Sequence, residues 1–201
     1  MSLPPIPSAF DLQMVPLGSW AVYLHDKLTF RYAVVAKGSE GVTIETAMPT
    51  IEGGRFVMAV LYGPDQERTG QSRGKAFQDD DNDPRDSGTT RAPRYPRIDP
   101  SKFVGTETMT VRAGTFVAKH YRDLTVYGEQ IDFWVDDAVF PFGIIKVEAE
   151  LKQDQIDVRR FTFELVSTGD GATAQITKPV KPYDPEYGTK KANSPAPSRA
   201  K

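Results

Sequence analysis

The sequence predicts an all-β fold, an antiparallel sheet curled into an unclosed up-and-down barrel. Three observations predict it. Apolar residues alternate with polar ones in one run after another, which is the period of a half-buried strand. Glycine, proline and aspartate separate the runs, as hairpin turns require. Little of the chain reads as helix, so consecutive strands joined by short turns are left to close on one another.

The elements follow in order. Residues 1–17 hold Pro4, Pro5, Pro7 and Pro16 and read as an irregular arm with one short turn near Ser8–Gln13. Gly18-Ser19 opens the first strand. There Trp20, Val22 and Leu24 face one way, and Ala21, Tyr23 and His25 the other. Asp26-Lys27 turns the chain, and Leu28, Phe30, Tyr32 and Val34 form an inward row. After the Gly38–Gly41 turn, Val42, Ile44, Thr46 and Met48 continue the alternation. Arg55–Tyr62 is apolar on both faces. It is a covered central strand or a short buried helix, and its length and flanking glycines favour the strand.

From Gly63 to about Pro100 the chain turns polar and near-neutral. It reads as a long loop inserted in the domain, either a lid, a binding loop or disorder. Val104–Leu151 then carries the clearest strands. Thr106, Thr108 and Thr110 share one face, and Glu107, Met109 and Val111 the other. Ala113-Gly114 and Gly128-Glu129 are turns. Ile131, Phe133 and Val135 alternate with Asp132, Trp134 and Asp136. Phe140-Pro141-Phe142-Gly143 is a rigid turn. Ile145, Val147, Ala149 and Leu151 form another row, and Phe161, Phe163 and Leu165 the last. The count is about nine or ten strands. The domain spans 18–178, and 179–201 is a basic, proline-rich tail expected to be disordered. Roughly 130 residues remain without arm, loop and tail, enough for one core.

Composition excludes several functions. The net charge is −2 with a pI near 5.8, so no basic field draws nucleic acid. With no cysteine there is no disulfide, thiol nucleophile or cysteine–zinc site. No apolar run reaches the roughly 20 residues of a transmembrane helix. The start MSLPPIPSAF has no signal-peptide character. The protein is then cytoplasmic, or its targeting segment precedes this chain.

No motif here makes an enzyme. Gly70-Gln71-Ser72-Arg73-Gly74 matches the nucleophile-elbow pattern, but no helix follows it. Gly169, Gly171 and Ala174 match a loose dinucleotide fingerprint, but the residues that follow cannot start a helix. Asp79, Asp81 and Asp83 imitate a calcium loop with Pro84 where glycine is needed. His25 and His120 each sit alone on a strand with no metal-ligand spacing, and read as half-buried structural residues. Asp136-Asp137 reads as a turn cap. The chain is read as a non-enzyme without metal or cofactor. Trp134 lies opposite the aliphatic row of its strand, where it covers the second face or lines a cavity.

Gly105-Thr106-Glu107-Thr108, Val111 to Ala118, Phe133-Trp134-Val135 and Pro141 to Lys146 together resemble a group of poorly characterised bacterial secreted or lipid-anchored domains. These are similar in turn to the LolA/LolB-like lipoprotein-carrier superfamily. The resemblance spans about 18–171. It implies an open β-barrel whose concave face accepts a lipid or a lipoprotein's acyl chain, and a periplasmic or outer-membrane location. Arg112 stands where a proline is commoner, the chain has no lipobox cysteine, and no lid helix is evident. On that reading the ligand lies against Phe30, Tyr32, Val34, Ile131, Phe133, Trp134, Val135, Phe161, Phe163 and Leu165. Burial of an acyl chain would contribute about 0.8 kcal/mol per CH₂. The alternative is an interaction module of an envelope assembly, with envelope proteins as partners and the sheet as scaffold.

Overall fold

Strands joined by tight turns satisfy their backbone groups most simply by pairing with their chain neighbours. The computed structural model, described for residues 8–49, 54–64, 68–77, 85–86, 98–125, 128–152 and 158–177, does this almost throughout. Its strands are β1 (Trp20–His25), β2 (Leu28–Gly38), β3 (Gly41–Pro49), β4 (Arg55–Tyr62), β5 (Arg68–Phe77) and β6 (Arg85–Asp86), followed by β7 (Phe103–Val111), β8 (Gly114–Leu124), β9 (Gln130–Val135), β10 (Ile144–Lys152) and β11 (Val158–Gly169). They form one antiparallel sheet in the order β6-β5-β4-β3-β2-β1-β11-β10-β9-β8-β7. Among the described residues, only the β1–β11 strand pairing joins elements distant in sequence. The sheet ends at β6 and β7, which do not pair, so it is open rather than a closed barrel. Among the described residues, helix is confined to two 3-10 turns, Leu12–Met14 and Pro100–Lys102.

Each face has its own cover. Tyr23, Phe30, Tyr32, Val34, Ile44, Phe133, Val147, Phe163 and Leu165 project from one face and are buried. Leu12 and Val15 from the arm pack against them, with Phe142 from the turn after β9. Tyr23 stacks on Phe163 at 4.6 Å, and Tyr32 meets Phe142 edge-on at 5.3 Å. Backbone bonds tie this plug together, with Ala9 N–H donating to the Phe142 carbonyl at 2.8 Å. Gly143 takes φ +76, and a Cβ there would stand 2.7 Å from Ala9 Cβ.

On the opposite face Glu45, Ala47, Val57 and Ala59 are also buried. The segment after β11 crosses there. Ala172 N–H donates to the Gly18 carbonyl, and the Glu45 carboxylate accepts from Gln175 N–H at 2.8 Å and Ile176 N–H at 3.0 Å. β4 is therefore a strand buried on both sides, as its unbroken apolar run predicts.

Two expectations need correction. The stretch 63–100, read as a polar loop, contains β5, paired with β4 from Arg55↔Phe77 to Tyr62↔Arg68. Pairing uses backbone groups, so a free neighbouring edge can order a sequence with no apolar alternation. Residues 8–17 do not stand outside the domain: Leu12 and Val15 are fully buried. They escape a period-two reading because they belong to an irregular plug. Residues 1–7, most of 78–97 and the tail 179–201 lie outside the described residues.

Candidate interaction surface

The rows read as a ligand wall are the inner layer of the core. Phe30, Tyr32 and Val34 on β2, Phe133 and Val135 on β9, and Phe161, Phe163 and Leu165 on β11 are buried, and Ile131 is half-buried. The sheet brings these nine together on one face, in one core cluster with Leu12, Val15, Val139 and Phe142 of the segments 8–17 and 136–143. Trp134 alone of the ten faces the other way.

Trp134 anchors a polar cluster that local spacing did not suggest. His120 lies directly across from it on β8, and the rings stack at 4.8 Å with 14° between their planes. Its indole N–H donates to Glu107 on β7, and the Lys146 ammonium lies 5.7 Å from the indole centroid. Asp132, two residues along β9, meets His120 Nε2 at 2.6 Å and accepts from Arg122 Nε at 2.8 Å and Gln130 Nε2 at 2.7 Å. His120 Nδ1 is 3.3 Å from Glu107. Burial pushes the Asp132 carboxyl up, but the hydrogen bonds from Gln130, His120 and Arg122 outweigh it. The carboxyl sits below the usual carboxylate range.

His120 thus sits between two carboxylates, with Nε2 toward Asp132 and Nδ1 toward Glu107. The cluster is a brace joining β7, β8 and β9. Its partners are 12 and 13 residues apart in the chain, so only strand register could have found them. The second histidine, His25, pairs its Nδ1 with the Thr162 carbonyl at 2.9 Å and packs on Phe161. Asp136 caps its turn by accepting from Ala138 N–H at 2.8 Å. No group of three or more metal-ligating side chains occurs among the described residues, and no helix there is long and apolar enough to cross a membrane.

Among the described residues, large apolar side chains reach solvent at Met14, Leu17 and Leu28 and at four positions of the β7–β8 hairpin. Phe103, Val104, Val117 and Leu124 are 50–67% exposed. The hairpin is held at two places. On the face that carries Trp134 it is fixed by the Glu107–Trp134 bond. At its tip, Ala113 N–H donates to the Leu165 carbonyl and Arg112 N–H to the Glu164 carboxylate. Its outer strand, β7, ends the sheet. Beside the hairpin lies a cleft of about 530 Å³ between Ala9, Ile98 and Pro100 on one side and Lys119, Tyr121 and Val135 on the other. The Lys119–Asp137 ion pair stands at this cleft, and its hydrogen bond raises the Lys119 ammonium above its ordinary range.

No family model and no curated protein sequence matches the chain. Among solved structures, the hypothetical protein CT021 from Chlamydia trachomatis is similar, with a TM-score of 0.47 and 8% identity over 87% of this chain and 95% of that one. It brings no link to the lipoprotein carriers.

Proposed function

We propose that this protein is a non-enzymatic interaction module, a rigid open sheet that presents the β7–β8 hairpin to a protein partner. The observation that carries the reading is the contrast between the two surfaces. The apolar rows suited to a ligand are buried in a core cluster that includes the chain's own plug residues, whereas the hairpin keeps four large apolar side chains in solvent beside a strand that, among the described residues, ends the sheet. An exposed strand edge is a usual ground for protein association. A carrier would have to expel Phe142, Leu12 and Val15 before an acyl chain could reach Tyr32 or Phe163.

Two measurements test this. A photo-crosslinking residue at Val117, exposed on the hairpin, is compared in the native cell with one at Ser39, exposed in the β2–β3 turn. Discrete adducts from Val117 and none from Ser39 are expected. Native mass spectrometry of the unextracted protein supplies the counter-test. A bound lipid that organic solvent removes, with no Val117 adduct, would replace this reading with the carrier.

A further inference from the structure

We infer that the partner of β7 is the β7 of a second copy, paired antiparallel about Thr108 so that two sheets become one. This rests on the interaction-module reading and names its partner. β7 is the last strand of the sheet, and among the described residues nothing pairs with its outer edge. Edge strands that remain alone usually carry lysine, proline or a bulge. β7 has one irregularity, between Phe103 and Gly105, and from Gly105 to Val111 its register with β8 is regular. That regular stretch contains no lysine, arginine or proline. Its one charge, Glu107, lies on the face that carries Trp134 and is bonded to that indole. What remains is a row of unpaired backbone donors and acceptors about 24 Å long at about 3.4 Å per residue. The chemistry that satisfies such a row is another extended strand.

Self-complementarity selects a second copy. The midpoint of Gly105–Val111 is Thr108. A two-fold axis there sets Thr108 against its own mate, Thr106 against Thr110, and Glu107 against Met109. Matched threonines form favourable cross-strand pairs, and no like charges meet. An axis at Glu107 would instead oppose two carboxylates. Thr106, Thr108, Thr110, Thr115 and Val117 then form one continuous outward face across the pair, with Thr108 next to Val117 in the β7–β8 ladder. Two short edges fall below a standard interface, so association belongs in the micromolar range.

The test exploits the absence of cysteine from the chain. Directly opposed residues have Cβ atoms about 4.5–5.5 Å apart, close to disulfide geometry. Thr108→Cys under air oxidation should therefore give a disulfide-linked dimer. Thr106→Cys should not, because its mate lies four residues away, about 13 Å along the strand. In sedimentation at about 100 µM the unmodified full chain should move from 22.3 kDa toward twice that mass. Thr108→Lys, a change at an exposed position, should restore the monomer. A monomer at every concentration with no Thr108→Cys dimer would overturn the inference. So would equal crosslinking at Thr106 and Thr108, which would mean random collision. In either case, Val117 adducts of any mass other than the homodimer would leave the interaction-module reading standing with a different partner.

Discussion

Removing the Asp132 carboxylate tests whether the brace under the hairpin is what holds it in place. Asp132 accepts hydrogen bonds from His120, Arg122 and Gln130 at 2.6–2.8 Å, and it is nearly buried. A hydrogen bond to a charged group contributes about 1.5–3 kcal/mol, and bonds sharing one acceptor are not additive. Arg122 is half-exposed, so water recovers much of its share. His120 and Gln130 recover less. Asp132→Ala should therefore cost about 2–3 kcal/mol. In a chain of 201 residues that corresponds to a Tm lower by roughly 5–10 °C. Urea unfolding followed by tryptophan fluorescence measures it.

The pH dependence follows from the sign of the shift. The folded carboxyl lies below the usual range, so its contribution is complete above the unfolded value of about 3.9. It is lost as pH falls from there through the lower folded value. The gap between Asp132→Ala and the unmodified protein should be wide at pH 7 and should shrink below about pH 4. A variant within about 0.5 kcal/mol of the unmodified protein at pH 7 would refute the brace. A gap that stayed constant down to pH 3 would refute the assignment of the stabilising charge to Asp132.

Three further substitutions probe the fold around the surface. Gly41 holds φ +141, and a Cβ there would stand 1.8 Å from the Tyr62 carbonyl oxygen, so Gly41→Ala should cost about 3 kcal/mol or more by thermal unfolding. Phe142→Ala should cost about 3–5 kcal/mol, because the ring is fully buried against Tyr32. The same variant should leave Val117 crosslinking unchanged if the hairpin, not the plug, is the working surface. Glu45→Ala removes the acceptor for Gln175 and Ile176 N–H, and those two amides should exchange with solvent faster while β7–β9 amides keep their protection.

The sequence revealed what local periodicity can carry. Strands with one apolar face, such as β9 and β11, announce themselves by alternation, and β4 by its unbroken apolar run. The turns at Asp26, Gly114 and Gly143 adopt positive φ where the residue type predicts it. Two kinds of structure were illegible. β5 has little apolar content of its own and exists because β4 offers an edge. The plug residues Leu12, Val15 and Phe142 belong to irregular segments, where burial leaves no period to read. The site was obscured for a related reason. His120, Asp132, Glu107 and Trp134 become neighbours only through the registers of β7 with β8 and β8 with β9. A single strand cannot display a cross-strand cluster.

This division explains why the apolar rows that resemble a ligand wall and the surface proposed for binding differ. A sheet of eleven strands is long enough to carry two covers at once, and the chain supplies both from its own ends and loops. The arm and the 136–143 turn fill one face. The segment after β11 lies on the other, where Glu45 takes up its peptide N–H groups. Among the described residues, neither cover reaches the far side of β7. There the described sheet ends, and the one charged residue of its regular stretch is bonded to Trp134. On the proposed reading, that edge is where the sheet would continue into another chain.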